Sequence, residues 1–248
     1  LPSGDPSLDK TLEWAIERMA NAGFPVGSKV ELVVDPELKM MGYARTENGI
    51  HYIVISDWAL DSEMLGGLLL HELAHIYHTE KMSPSHRPEV LQEHMKRMVK
   101  REGLTDREVQ ALTDAFGHLQ NMIVDDIAFA CMTERELKLV AKFFENWVSD
   151  KPTGDAVVDA TLLVRNAFAI ASLKRRGLNG SVVEMYARNT RFLSFYNEER
   201  KVAFEMIEGF LENVKTDWSA EDFERALETY FDMVLGLMEA HGGLEDLR

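Results

Sequence analysis

The stretch LGGLLLHELAHIYHTE, Leu65 to Glu80, carries two histidines four residues apart, with a glutamate directly after the first. On an α-helix, residues i and i+4 lie one turn apart on the same face. His71 and His75 can therefore turn two imidazole nitrogens toward one point, the bite that a zinc ion needs at ~2.0–2.1 Å per ligand. Glu72 lies about 100° round the helix from His71. That rotation takes it away from the metal itself but within reach of a water held there, whose proton it can accept as a general base. H-E-x-x-H thus places two ligands and a base within five residues, and the chemistry it suits is hydrolysis.

Such a site needs a rigid helix and an apolar wall behind it. Leu68, Leu69 and Leu70 supply the wall, and Asp61 or Ser62 is expected to cap the helix. Upstream, SKVELVVDPEL alternates and is rich in Val, which predicts a strand stopped by Pro36. MMGYARTENGIHYIVIS predicts two strands around a Glu47-Asn48-Gly49 turn, because Asn-Gly accepts positive φ cheaply. Both faces of the second strand are apolar, so it is expected to be covered. The chain before this sheet reads as a helix capped by Asp5, with Pro6 in its first turn, a Leu8, Leu12, Ala15, Ile16 and Met19 stripe, and Gly23 at its end.

After the motif, KMSPSHRPEV reads as a loop and PEVLQEHMKRMVKREG as a helix ending at Gly103. Thr105 with Glu108, Thr133 with Glu136 and Ser181 with Glu184 have capping-box spacing. SDKPTGD reads as a linker, followed by helices over roughly 155–176, 182–194, 196–214 and 220–240. The expected fold is α+β, with residues 1–150 as the metal-binding catalytic part and 151–248 as an all-α region.

HELAH after a β-hairpin resembles the zincin metallopeptidases, and the likeness in element order spans roughly residues 25 to 130. The resemblance implies an active-site helix beneath a small sheet, a second helix bringing a third zinc ligand, and one zinc per chain. It implies a metallopeptidase acting on a peptide or protein, with Glu72 as catalytic base and His71 and His75 as ligands. Gluzincins place Glu-x-x-x-Asp on the later helix; here the positions are Asn121 and Asp125, so the glutamate is missing. Asp125 is a candidate third ligand, or the partner that orients a ligand histidine. His86 in the Pro-Ser-His-Arg-Pro loop is the alternative, as in short zincins. His118 is a candidate for stabilising charge in the transition state, and Asn121 shares its helix face. Metzincins continue with Gly and His, where this chain has His78 and Lys81, so that branch is excluded. A site closed by both His86 and Asp125 would instead make the metal structural or regulatory.

The remaining features narrow the class. A net charge of −15 over 248 residues argues against a nucleic-acid backbone or an anionic membrane as partner. The apolar runs around 64–70 and 167–173 are shorter than a membrane span. Cys131 is the sole cysteine, which rules out an intramolecular disulfide and points to a reducing, cytoplasmic setting. It is expected to be buried, Tyr77 and His78 to border the cleft or core, and His51 and His94 to lie at the surface.

Overall fold

The computed structural model describes residues 6–239, so the expected cap Asp5 and residue 240 lie outside the described residues. Helices dominate and a single three-stranded sheet occupies the first quarter, an α+β arrangement. The chain forms two compact units. One takes the chain up to His86 together with Val124–Val140, and the other takes Arg87–Ile123 together with the chain from Ala141 onward.

In the first unit, strands β1 (Val30–Asp35), β2 (Gly42–Glu47) and β3 (Ile50–Ser56) are ordered β1-β3-β2. β3 is central, parallel to β1 and antiparallel to β2, which explains apolar residues on both its faces. Asn48 and Gly49 both have positive φ, 51° and 77°, so a two-residue turn of the kind that matches strand twist joins β2 to β3. The Ser56 amide donates to the Met41 carbonyl. From that pair the antiparallel alternation turns the backbone groups of Gly42, Ala44 and Thr46 away from β3, to the outer edge of β2.

Helix α1 (Pro6–Asn21) and helix α3 (Leu65–Glu80) pack together, and α3 also lies against β2 and β3. Leu69, Leu70, Leu73 and Ala74 are wholly buried, so α3 is a core helix and its orientation is set on several sides. Gly66 allows a close approach, since an added Cβ would fall 2.9 Å from a Glu136 carboxylate oxygen and 3.3 Å from Trp14 and make those side chains shift. Glu136 also pairs with Arg18 at 3.3 Å and closes a reciprocal cap with Thr133, as its spacing foretold. Cys131 is buried with its Sγ 3.7 Å from the Met19 sulfur.

The second unit is helical. It contains α4 (Pro88–Glu102), most of α5 (Asp106–Cys131), the end of α6 (Glu134–Trp147), α7 (Ala156–Arg175), α8 (Asn179–Leu193), α9 (Glu198–Glu212) and α10 (Ala220–Glu239). α4 ends on Gly103 in the left-handed conformation, and Thr105 and Glu108 form the expected capping box of α5. α7 is long and apolar enough to cross a membrane, a length that counting short apolar runs misses. It packs against α8, α9 and α10 as the core helix of this unit. Its buried Asp159 accepts from the Thr153 and Gly154 amides and from the Tyr196 hydroxyl at 2.6 Å. Asn166 exchanges hydrogen bonds with the Ser149 backbone. The SDKPTGD stretch is therefore a pinned corner inside the second unit, and the units do not divide at residue 150.

Other expectations need correction. A short helix α2 (Asp57–Leu60) precedes α3, which starts after Met64 rather than on a capping Asp61 or Ser62. The Ser62 hydroxyl instead accepts the Met64 amide at 3.1 Å. Ser181 lies inside α8, two residues past its start. His51 and His94 are buried, because each ring has a specific partner. His51 bridges Thr46 at 2.7 Å and Glu80 at 3.2 Å, and His94 accepts from Arg97 at 3.0 Å while meeting Phe231 edge-on.

Two outcomes follow from this packing. At Gly42 an added Cβ would sit 2.9 Å from the Val54 carbonyl oxygen, which the ladder holds in place. Gly42→Ala should destabilise the protein by about 1–3 kcal/mol, read as a lower urea midpoint; an unchanged midpoint would show that β2 can move off β3. His118 stacks on Phe168 with ring centroids 4.9 Å apart, and burial, aided by Arg165, pushes it down to about 4 from 6.5. Between those values the unfolded chain binds more protons, so stability falls as pH falls from 6.5 to 4. His118→Phe should make that fall shallower in urea titrations at pH 4.5 and 7, and an unaltered slope would refute the burial of this imidazole.

Candidate metal centre

α3 projects His71 and His75 from one face, with their Nε2 atoms 3.3 Å apart. Two tetrahedral ligands of one zinc, each at ~2.0–2.1 Å, are separated by about 3.3 Å. The Nδ1 of His71 lies 2.9 Å from Asp125 Oδ1 on α5, and this carboxylate is buried. His75 Nδ1 lies 2.9 Å from His86 Nε2 in the 3-10 turn Pro84–His86, and His86 Nδ1 lies 2.9 Å from Ser85 Oγ. One proton placement satisfies the whole row with every ring neutral. Ser85 donates to His86 Nδ1, His86 Nε2–H to His75 Nδ1, His75 Nε2–H to His71 Nε2, and His71 Nδ1–H to Asp125.

That placement assigns His71 the tautomer of a metal ligand, with Nδ1 protonated on a carboxylate and the Nε2 lone pair turned inward. As the side chains stand, no three donors among the described residues form a group that could hold a metal ion. His75 stands between its neighbours with one nitrogen on each. The protons that link these nitrogens occupy the lone pairs a cation would use. By chemistry, then, the His71–His75 pair fits zinc, with its Nε2 atoms at ligand spacing and with Asp125 and His86 on the two outer nitrogens.

Glu72 is 4 % exposed. The backbone amide of Ala44, one of the residues whose backbone groups face the outer edge of β2, is turned to its carboxylate. Burial pushes its pKa above the usual carboxylate range, opposed by His71 and by that amide. The sheet edge and the base of the motif are thus in direct contact, a juxtaposition that the spacing of HELAH does not encode. Below the row, His78 is buried, bonded through Nδ1 to Ser83 Oγ at 2.9 Å and stacked on His86. Burial pushes His78 down to about 4 against the pull of Asp126, and burial with the neighbouring His78 and His71 pushes His86 down to about 3.

The structure therefore gathers His71, Glu72, His75, His86 and Asp125 in one unit. Asp125 meets His71 on the nitrogen away from His75. His118 and Asn121 belong to the second unit, where His118 packs on Phe168. The residues not foreseen as parts of the centre are Ser83, Ser85 and the Ala44 amide. His78 had a legible signal, since it follows His71 by seven residues and so shares its face.

Neither the curated proteins nor the solved structures hold a match to this chain. A family model described as a family of unknown function, DUF5781, matches residues 20–229. That match covers most of the sequence and both compact units, and the chain belongs to the DUF5781 family.

Proposed function

We propose that this protein is a zinc-dependent hydrolase of the zincin type, acting on peptide bonds. The observation that carries the reading is the His71–His75 pair, with Nε2 atoms 3.3 Å apart and Asp125 fixing the outer nitrogen of His71. His71 and His75 would hold the metal. Asp125 and His86 each stand 2.9 Å from the outer nitrogen, Nδ1, of one of these histidines and would orient it toward the metal. Bound zinc would supply a Lewis acid for water and for the scissile carbonyl.

The chain's own groups do the rest. Glu72 takes a proton from the attacking water at its carboxylate and passes it to the leaving nitrogen. Its burial favours the protonated form, so the proton can be held between the two transfers. The outer edge of β2 supports a peptide as substrate, because an extended peptide can pair with the outward groups of Gly42 and Thr46 and with the Ala44 carbonyl. The Ala44 amide at Glu72 means that such a strand would run beside the base.

Elemental analysis of protein purified with added zinc should find about one zinc per chain in the wild type, and far less in His71→Ala and His75→Ala. Asp125→Asn should weaken zinc binding ~10–100-fold, the usual cost of losing the group behind a ligand histidine. Glu72→Gln should keep the metal and lower cleavage of a mixed peptide library ~10²–10⁴-fold. A wild-type protein that takes up no zinc would end the hydrolase reading. Zinc uptake with no cleavage of any peptide would end the peptidase one.

A further inference from the structure

We infer that His78 is the positioning residue that holds His86 against the outer nitrogen of His75, through a ring stack and through its bond to Ser83. The inference rests on the reading of His75 as a metal ligand.

Sequence separates His86 from the motif helix by a turn that has no intrinsic reason to fold back. α3 ends at Glu80, Met82 follows with φ 52°, and the 3-10 turn Pro84–His86 comes next. Two backbone bonds shape the return: Ser83 donates to the His78 carbonyl at 3.0 Å, and His86 donates to the Ser83 carbonyl at 2.8 Å. These bonds close the turn, and the Ser85 hydroxyl holds one edge of the His86 ring at Nδ1. His78 adds restraint in two ways. Its Nδ1 is 2.9 Å from Ser83 Oγ, which ties the turn to the helix by a side chain. Its ring lies against that of His86, with centroids 5.1 Å apart and planes 19° from parallel. The stacked face directs the His86 edge, and with it Nε2, toward His75.

The polar character of residue 78 argues for a role beyond packing. The side chain is buried, yet its Nε2 finds no hydrogen-bond partner among the described residues. Leaving a buried ring nitrogen unpaired is unfavourable, and Phe or Leu at the same place would avoid it. A residue needed only to fill space would not be a histidine. Phe could stack on His86 but could not hold Ser83, and Ser or Asn could hold Ser83 but not stack. Histidine does both.

The test is zinc affinity by competition with a chromophoric chelator, together with the visible spectrum of the cobalt-substituted protein. His86→Ala sets the reference loss. His78→Ala should weaken binding by a similar factor, on the order of 10–100-fold as for other groups that orient a ligand. Its cobalt spectrum should move to that of His86→Ala. The double variant should bind no more weakly than His86→Ala alone, since both changes remove the same support of His75. His78→Phe should recover part of the affinity by restoring the stack, and Ser83→Ala should lose part of it. Wild-type affinity in His78→Ala would overturn the inference, and so would losses that multiply in the double variant, as a general loosening of the fold would produce. Should His78→Ala not fold, His78→Phe and Ser83→Ala decide: wild-type spectra and affinities in both would overturn it. A wild type that binds no zinc fails at the earlier step, and the metal reading falls with this inference. A wild type that binds zinc with His78 irrelevant fails only here.

Discussion

The hydrogen bond between His71 and Asp125 is the constraint on which the centre depends. A lone carboxylate buried on α5 would be costly, and a lone imidazole on α3 could turn either nitrogen to its surroundings. Together they remove both problems. The carboxylate gains a donor at 2.9 Å, and the imidazole is locked with its second nitrogen facing His75. From there the row passes through His75 to His86 and Ser85, each ring deciding the tautomer of the next. A row of this kind tolerates little error, because a single reversed tautomer leaves two acceptors or two donors facing one another.

Such tolerance is achieved by making α3 a core element. Leu69, Leu70 and Leu73 are buried as α3 packs on α1 and the sheet, so the helix has no freedom to rotate. Gly66 lets it approach Trp14 and Glu136, whose side chains an added Cβ would displace. β2 then lies at the sheet edge, with the Ala44 amide turned to the Glu72 carboxylate and favouring its charged form. The second unit handles its own polar burden in the same manner. Asp159 is wholly buried on α7, but two amides, a threonine hydroxyl and a tyrosine hydroxyl surround it. Pairing of this completeness makes buried charge compatible with a long apolar helix.

Much was legible in the residues themselves, and where it was, the information is local. The turn at Asn48-Gly49, the caps at Thr105 and Thr133 and the stop at Gly103 each depend on neighbours within four positions. So does the pairing of His71 with His75, since helical geometry alone brings residues four apart onto one face. The readings that failed were those in which local pattern competes with tertiary contacts. Ser181 has capping spacing but lies within a helix, and SDKPTGD has a linker's composition but is held by Asp159 and Asn166. His51 and His94 looked like surface residues because their partners, Thr46, Glu80 and Phe231, form no pattern with them along the chain.

The sequence by itself determined the motif, the α+β order of elements and the set of candidate donor residues. Tertiary structure decided their neighbours. Asp125 is 54 residues from His71, and only the packing of α5 in the first unit brings the carboxylate to the imidazole's outer nitrogen. His86 is 11 residues from His75 across a turn whose closure depends on His78 and Ser83. Periodicity is a property of one helix and can be read from residue spacing. The approach of two segments is a property of the packed core, set by which side chains fill it and which polar groups must find partners there.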